Sequence, residues 1–193
     1  PASCCGLFGL KPTRGRMPTG PSHGEIWQGA VCEHIISRSV RDSAAMLDAT
    51  QGADIGAPYI IPGPERPYLE EITRDPEKLV IAFSTESPID TPVDPEYVNA
   101  VEETAKFLEK LGHTVEEDKP DLDGKALAKS YMAMYFGEVA AELMEMESLL
   151  GRKATASDVE TLTWTMGVLG RELSAGEFVK QMREWGKASR AMG

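Results

Sequence analysis

The spacing of apolar residues divides the chain into an α/β portion, residues 1–120, and a helical portion, residues 121–193. In the first portion, short apolar runs at Gly6–Leu10 and Leu79–Ser84 predict strands. The run from Leu79 to Ser84 is continuously apolar, which is typical of a strand covered on both faces. A further strand is predicted at His113–Glu117, so about three strands are expected.

The two later strands are separated by the pattern of an amphipathic helix. Asp94 is a suitable N-cap and Pro95 a suitable first helical residue. The apolar positions that follow share one helix face: Val98, Val101, Ala105, Leu108 and Leu111. Gly112 is placed to end this helix. Strand, helix and strand at this spacing predict a βαβ unit with parallel strands and a right-handed crossover.

Three capping boxes predict the starts of further helices. The box Ser39–Asp42 opens a helix that Gly52 is placed to end in a left-handed conformation. In the helical portion, Lys125–Leu150 has the pattern of a long helix. The boxes Ser157–Glu160 and Ser174–Glu177 each open another helix. The second half of the chain is therefore predicted to be helical throughout.

Two segments rich in proline or glycine predict connections. Pro12–Gly29 contains seven such residues and predicts a long ordered loop, and a loop of this length in a compact domain is usually either functional or disordered. Ala53–Pro76 contains five prolines, so we expect it to follow the surface without regular structure.

Composition narrows the classes of protein. The 193 residues carry a net charge of −11, which argues against a nucleic-acid partner because phosphate backbones require a positive face. No apolar run approaches the roughly 20 residues that span a bilayer, so no membrane partner is expected. The three cysteines are Cys4, Cys5 and Cys32. Two are adjacent, which favours a reducing cytoplasm and small buried thiols over a disulfide framework or a zinc site with His23 or His34.

Side chains that could carry chemistry are few. No nucleophile elbow, phosphate-binding loop or metalloprotease pair is present. Lys11, Arg14 and Arg16 either clamp an anionic ligand or belong to a loop in which they are solvated or paired with carboxylates. His23 in the same loop is a further candidate for contact with a ligand.

The long helix of the second portion has two distinct faces. One carries apolar and aromatic residues, which form either core packing or the wall of an apolar substrate pocket: Tyr131, Met134, Tyr135 and Phe136. The opposite face carries three carboxylates, Glu138, Glu142 and Glu145. Without an accompanying histidine they indicate a solvent-facing stripe rather than a metal site.

The first residues resemble a known family. "PASCCGLFGLKPTRGRMPTGP" is similar to the stretch that follows the nucleophile loop in the amidase signature family, where a run ending in Gly-Gly-Ser-Ile-Arg leads into Pro-Ala-Ser and Lys-Pro-Thr-x-Gly-Arg. "SRSVRDSAAMLDATQG" looks like the family's following helix. Residues 1–52 carry most of the resemblance. Within the family the stretch looks most like the branch that includes 6-aminohexanoate-cyclic-dimer hydrolase.

The resemblance implies a fold and a chemistry. It implies that residues 1–193 are part of a single amidase domain, with a mixed sheet and flanking helices followed by a helical segment. The family hydrolyses amides with a Ser–Ser–Lys triad and uses no metal or organic cofactor. All three triad residues are expected upstream of Pro1, so no catalytic residue is expected in this chain, and Ser3 is not the nucleophile.

The resemblance also implies a substrate and partners. Linear or cyclic amides with apolar carbon chains are expected, with five candidate substrate-binding residues: Trp27, Cys32, Tyr131, Tyr135 and Phe136. Because the family's sheet is larger than the strands seen here, we expect self-association or binding of the preceding part of the same protein. Two alternatives remain: the amidase subunit of a tRNA-dependent amidotransferase, and a non-catalytic helical interaction module.

Overall fold

The computed structural model describes all residues, 1–193, as two compact units, Pro1–Pro76 and Glu77–Gly193. Each contains one small sheet and helices, which confirms the predicted α/β class. The βαβ unit belongs to the same compact unit as the helical segment, and the boundary between the two units follows Pro76. The four strands form two separate two-stranded sheets. No helix combines the length and the apolar character needed to cross a lipid bilayer.

In the first unit, strand β1 (Phe8–Gly9) pairs antiparallel with β2 (Ile36–Ser37), and Phe8 lies opposite Ser37. The sequence predicts β1, but β2 is only two residues long and gives no periodic signal. Helix α1 (Val40–Thr50) follows directly. It begins as predicted, because the hydroxyl of Ser39 accepts the N–H of Asp42 at 3.1 Å.

The expectation that the segment Ala53–Pro76 has no regular structure is wrong at one place. It contains the four-residue helix α2 (Tyr68–Glu71). A carboxylate from α1 supports it. The Oδ1 atom of Asp48 accepts the N–H of Tyr68 at 2.7 Å, and its Oδ2 atom accepts the N–H of Leu69 at 2.9 Å. These donors belong to the first helical turn and have no partner within the helix. A cap from 20 residues away cannot be seen in the local sequence.

The second unit opens with the predicted βαβ arrangement. Strands β3 (Val80–Phe83) and β4 (Thr114–Glu117) are parallel, with Val80 opposite Thr114. Helix α3 (Pro95–Lys110) connects them, and Asp94 accepts the N–H of Glu96 at 2.9 Å. Gly112 follows the helix with φ of +93°, a conformation that favours glycine.

The expectation that β3 is covered on both faces is wrong for the residues of this chain. Ile81 and Phe83 are half-buried, whereas Val80 and Ala82 are exposed, and Val80 retains 77% of its accessible surface. Side chains alternate between the two faces of a strand, so one face of the sheet is shielded and the other is open.

Helix α4 (Gly124–Leu150) is the centre of the helical segment and contacts both α5 (Thr161–Glu172) and α6 (Ala175–Met192). Met134 of α4 is fully buried, which settles its role as core. Two glycines of α5 permit close approach to α4. A Cβ atom at Gly167 would collide with the side chain of Leu143, and one at Gly170 would collide with the carbonyl oxygen of Phe136.

The predicted capping box Ser157–Glu160 does not open a helix, because α5 begins at Thr161. The carboxylate of Asp158 instead accepts hydrogen bonds from Nη1 and Nη2 of Arg152, at 2.8 and 2.7 Å, and from the backbone N–H of Thr155. These contacts, with that of Arg152 the largest, hold the pKa of Asp158 well below its usual range. The box at Ser174 is confirmed, since its hydroxyl accepts the N–H of Glu177 at 3.2 Å.

The buried carboxylate of Glu147 joins the end of α4 to the segments that follow. It accepts the backbone N–H of Ala154 at 3.0 Å, Nζ of Lys153 at 3.0 Å and a guanidinium nitrogen of Arg171 at 2.9 Å. These hydrogen bonds favour the ionised form, and the N–H of Ala154 makes the largest contribution. They lower the pKa of Glu147 to about 2.

This geometry predicts a pH-dependent contribution to stability. Because the pKa of Glu147 falls from 4.5 to about 2 on folding, its contribution is complete above pH 4.5 and is lost as the pH falls toward 2. Glu147→Gln should therefore lower the Tm of the chain at pH 7. The difference in Tm between this variant and the wild type should decrease as the pH falls from 4.5 toward 2. Helical circular dichroism measures the Tm of both proteins. Glu145→Gln, at an exposed position of the same helix, is the matched control, and equal Tm values for the two variants would contradict the assignment.

Candidate functional site

Three basic side chains in and next to the Pro12–Gly29 loop donate hydrogen bonds to the backbone. Nε of Arg14 donates to the carbonyl oxygen of Gly29 at 2.8 Å, and Nη1 of Arg16 donates to that of Pro62 at 2.9 Å. Nζ of Lys11 donates to the adjacent carbonyl of Pro12 at 2.9 Å. Lys11 and Arg14 are exposed, in agreement with the solvated alternative, and all three side chains also donate to carbonyl oxygens.

Other contacts of Arg16 also fix the loop. Its own carbonyl oxygen accepts the N–H of Gly52 at 2.9 Å, just beyond the end of α1. Its guanidinium lies over the ring of Tyr68, with 6.0 Å between the guanidinium carbon and the ring centroid. The long loop is thus ordered, as the sequence predicts, and its order depends on contacts with α1 and α2.

The loop encloses a small cavity beside Arg14, Glu25, Cys32 and Tyr59. Its volume of about 40 Å³ suits water, because ligand pockets are roughly 300 to 1,000 Å³. The hydroxyl of Tyr59 donates to Oε1 of Glu25 at 2.7 Å. That hydrogen bond and the carboxylate charge raise the pKa of Tyr59. This cavity by itself does not accommodate an amide substrate.

A larger hollow of about 440 Å³ lies at the β1–β2 sheet and is lined by Ser3, Lys11, Cys32 and His34, among others. Nζ of Lys11 lies 4.0 Å from Sγ of Cys32. The imidazole Nε2 of His34 is 2.8 Å from the hydroxyl of Ser43, which is itself buried. Cys32 therefore borders both hollows of the first unit.

The remaining candidates of the first unit lie at the surface. Trp27 is half-buried in a 3₁₀ turn at Trp27–Gly29, with φ of +50°, which is uncommon for a residue with a side chain. His23 is exposed. The expectation of buried thiols is wrong for Cys4 and Cys5, which are both exposed in the 3₁₀ turn Ser3–Cys5.

In the second unit the structure brings two predicted residues together and adds a third. The rings of Tyr131 and Tyr135 on α4 stack with centroids 6.1 Å apart and an interplanar angle of 20°. Trp185 of α6 lies 6.1 Å from Tyr131 at 33°. We call these three residues the aromatic cluster. Sequence reasoning did not single out Trp185, although Phe178, Gln181 and Trp185 share one face of α6.

Phe136 lies beside the cluster in sequence but has different neighbours. It is half-buried, and its carbonyl oxygen faces Gly170 of α5. On the carboxylate face of α4, Glu142 and Glu145 are exposed and Glu138 is half-buried. No group of three histidine, cysteine or acidic side chains is arranged to hold a metal ion.

The chain combines an anchored loop after the Pro-Ala-Ser motif with a βαβ unit that is followed by three helices. The chain belongs to the Amidase family, whose model matches residues 1–192. The predicted resemblance is confirmed.

The curated relatives agree with the predicted branch. The chain is 38% identical over 170 residues to the 6-aminohexanoate-cyclic-dimer hydrolases of Pseudomonas sp. (strain NK87) and Paenarthrobacter ureafaciens, covering 86% of the chain and 34% of each relative. It is 31% identical over 178 residues to a lipoamidase of Enterococcus faecalis, covering 92% of the chain and 22% of that protein. The chain thus spans about a third of the length of the first two relatives.

Solved structures show the same fold. A 6-aminohexanoate cyclic dimer hydrolase complexed with substrate matches with a TM-score of 0.85 and 35% identity, over 98% of this chain and 41% of that one. A bacterial aryl acylamidase of the amidase signature family matches with a TM-score of 0.71 over 91% of this chain and 36% of that one. At 16% identity the second match supports the fold alone.

Proposed function

We propose that the protein containing this chain is an amidase, which adds water across a C–N bond and releases a carboxylic acid and an amine. The observation that carries this proposal is the match in both sequence and structure to 6-aminohexanoate cyclic dimer hydrolase, at 38% identity and a TM-score of 0.85. The substrate class that this match supports is a linear or cyclic amide with an apolar carbon chain.

The proposed chemistry is that of a Ser–Ser–Lys triad contributed by residues that precede Pro1. A serine nucleophile needs a base within hydrogen-bond reach, and backbone donors must point at the developing oxyanion. The first residues of this chain are suited to hold such a loop in position. The carbonyl oxygen of Ala2 accepts the N–H groups of Cys5 at 3.0 Å and Leu7 at 2.9 Å, which fixes the turn between the motif and β1.

The five sequence candidates remain our proposed substrate contacts. Trp27 and Cys32 would contribute from the anchored loop, and Tyr131, Tyr135 and Phe136 from α4. Aromatic and apolar side chains with few polar groups are the usual lining for a neutral substrate of this kind.

The three cysteines are free thiols, which supports a reducing compartment such as the cytoplasm.

The first test compares the full-length protein with this chain. The full-length protein should open the ring of the 6-aminohexanoate cyclic dimer to the linear dimer, whereas purified residues 1–193 should show no turnover because the proposed nucleophile and base are missing. Formation of the linear product, measured by chromatography, decides both points. Turnover by the isolated chain, with contaminating amidase excluded, would contradict the proposed location of the triad. Ammonia release from glutamine alone would favour the amidotransferase alternative.

A second test concerns the wall formed by α4. Tyr135→Ala in the full-length protein should lower kcat/KM for the cyclic dimer about tenfold relative to acetamide, because an apolar contact with the carbon chain is lost. Tyr97→Ala is the control, since Tyr97 is 70% exposed on α3. An unchanged ratio of kcat/KM between the two amides would remove Tyr135 from the site.

A third test concerns partners. Each strand of the β3–β4 pair has one edge without a neighbouring strand, and Leu79 and Val80 expose apolar surface beside it. The isolated chain should therefore self-associate, or bind the preceding part of the protein when both are present, as measured by sedimentation. Val80→Lys should weaken the association because a charge discourages pairing at the edge. A monodisperse monomer at all concentrations would argue against this proposal.

A further inference from the structure

The indole nitrogen of Trp185 is buried and has no hydrogen-bond partner. Buried donors in folded proteins are nearly always paired, so an unpaired one needs an explanation. The indole N–H donates and cannot accept. Its missing partner must therefore carry a hydrogen-bond acceptor.

The surroundings of this donor are aromatic and partly open. The rings of Trp185 and Tyr135 both contact the ring of Tyr131, and the ring centroids are 6.1 Å apart in both contacts. Tyr131 retains 40% of its accessible surface, so one ring of the aromatic cluster is exposed to solvent. An apolar surface with one fixed polar group is typical of sites that bind small neutral molecules.

A buried polar contact holds the cluster in position. The hydroxyl of Ser130 donates to Oε1 of Gln181 at 3.0 Å, and Nε2 of Gln181 donates to Glu177 at 2.6 Å. Ser130 is 1% exposed and Gln181 is 5% exposed. Trp185 lies one turn beyond Gln181 on α6, and Tyr131 immediately follows Ser130 on α4. The indole is therefore oriented by the contact between the two helices.

We propose that Trp185 is a specificity-determining residue, whose indole N–H donates to a carbonyl oxygen of the bound amide while the tyrosine rings contact its apolar carbon chain. This inference rests on the proposed amidase function. An amide carbonyl is a neutral acceptor and matches a neutral donor, and the carbon chain matches the aromatic surface. The inference adds to the α4 wall a polar contact from a helix that the sequence did not implicate.

The test uses full-length Trp185→Phe, which keeps an aromatic ring and removes the donor. KM for the 6-aminohexanoate cyclic dimer should rise about three- to tenfold, the effect of one neutral hydrogen bond, with kcat changed little. Trp164→Phe is the matched control. Trp164 lies on α5, its ring is 5.9 Å from the guanidinium of Arg171, and its replacement should leave KM unchanged. A KM for Trp185→Phe equal to that of the wild type overturns the inference.

A second variant keeps the inference testable if Trp185→Phe does not fold. Tyr131→Ser alters the exposed part of the aromatic cluster. It should raise KM for the cyclic dimer and leave KM for acetamide, which has no long carbon chain, unchanged. Equal effects on both amides, or none, overturn the inference. A wild-type protein that turns over no amide contradicts the proposed function and the inference with it, whereas active wild type with unresponsive variants contradicts the inference alone.

Discussion

The hydrogen bond between Ser130 and Gln181 sets the geometry of the helical segment. Both side chains are buried, so separating α4 from α6 would leave two polar groups without partners in an apolar interior, which is costly. Packing of apolar side chains alone tolerates sliding between helices, whereas a buried polar pair has a single favourable register. The stacked tyrosines and Trp185 depend on that register for their mutual position.

In the first unit, side-chain hydrogen bonds order a long loop that has no regular secondary structure. Arg14 and Arg16 supply donors to the carbonyl oxygens of Gly29 and Pro62, which would otherwise need water or strand partners. The carboxylate of Asp48 in turn accepts hydrogen bonds from the first N–H groups of α2. Side chains thus replace the missing backbone ladder in a segment that belongs to no sheet.

Local features of the sequence were predictable and distant ones were not. Ser39, Asp94 and Ser174 cap helices as predicted because each accepts an N–H two or three residues ahead. The predicted helix start at Ser157 is wrong because Arg152 donates hydrogen bonds to the carboxylate of Asp158. The capping pattern in the sequence does not reveal this competing interaction.

The same limit applied to the candidate site. The family motif of residues 1–52 pointed to an amidase, and the stacking of two tyrosines four residues apart follows from helix geometry. The role of Gln181 and the orientation of Trp185 depend on which helix packs against α4, and that information is tertiary. The exposure of Val80 likewise depends on what lies beside β3, which a continuously apolar run does not specify.

The attachment of the Pro12–Gly29 loop through carbonyl oxygens has an evolutionary consequence. Every residue type offers the same carbonyl group, so the acceptor at position 62, and any other acceptor whose conformation does not demand glycine, can change identity while the guanidinium contact survives. The loop can therefore accumulate substitutions at its outward positions and keep its course.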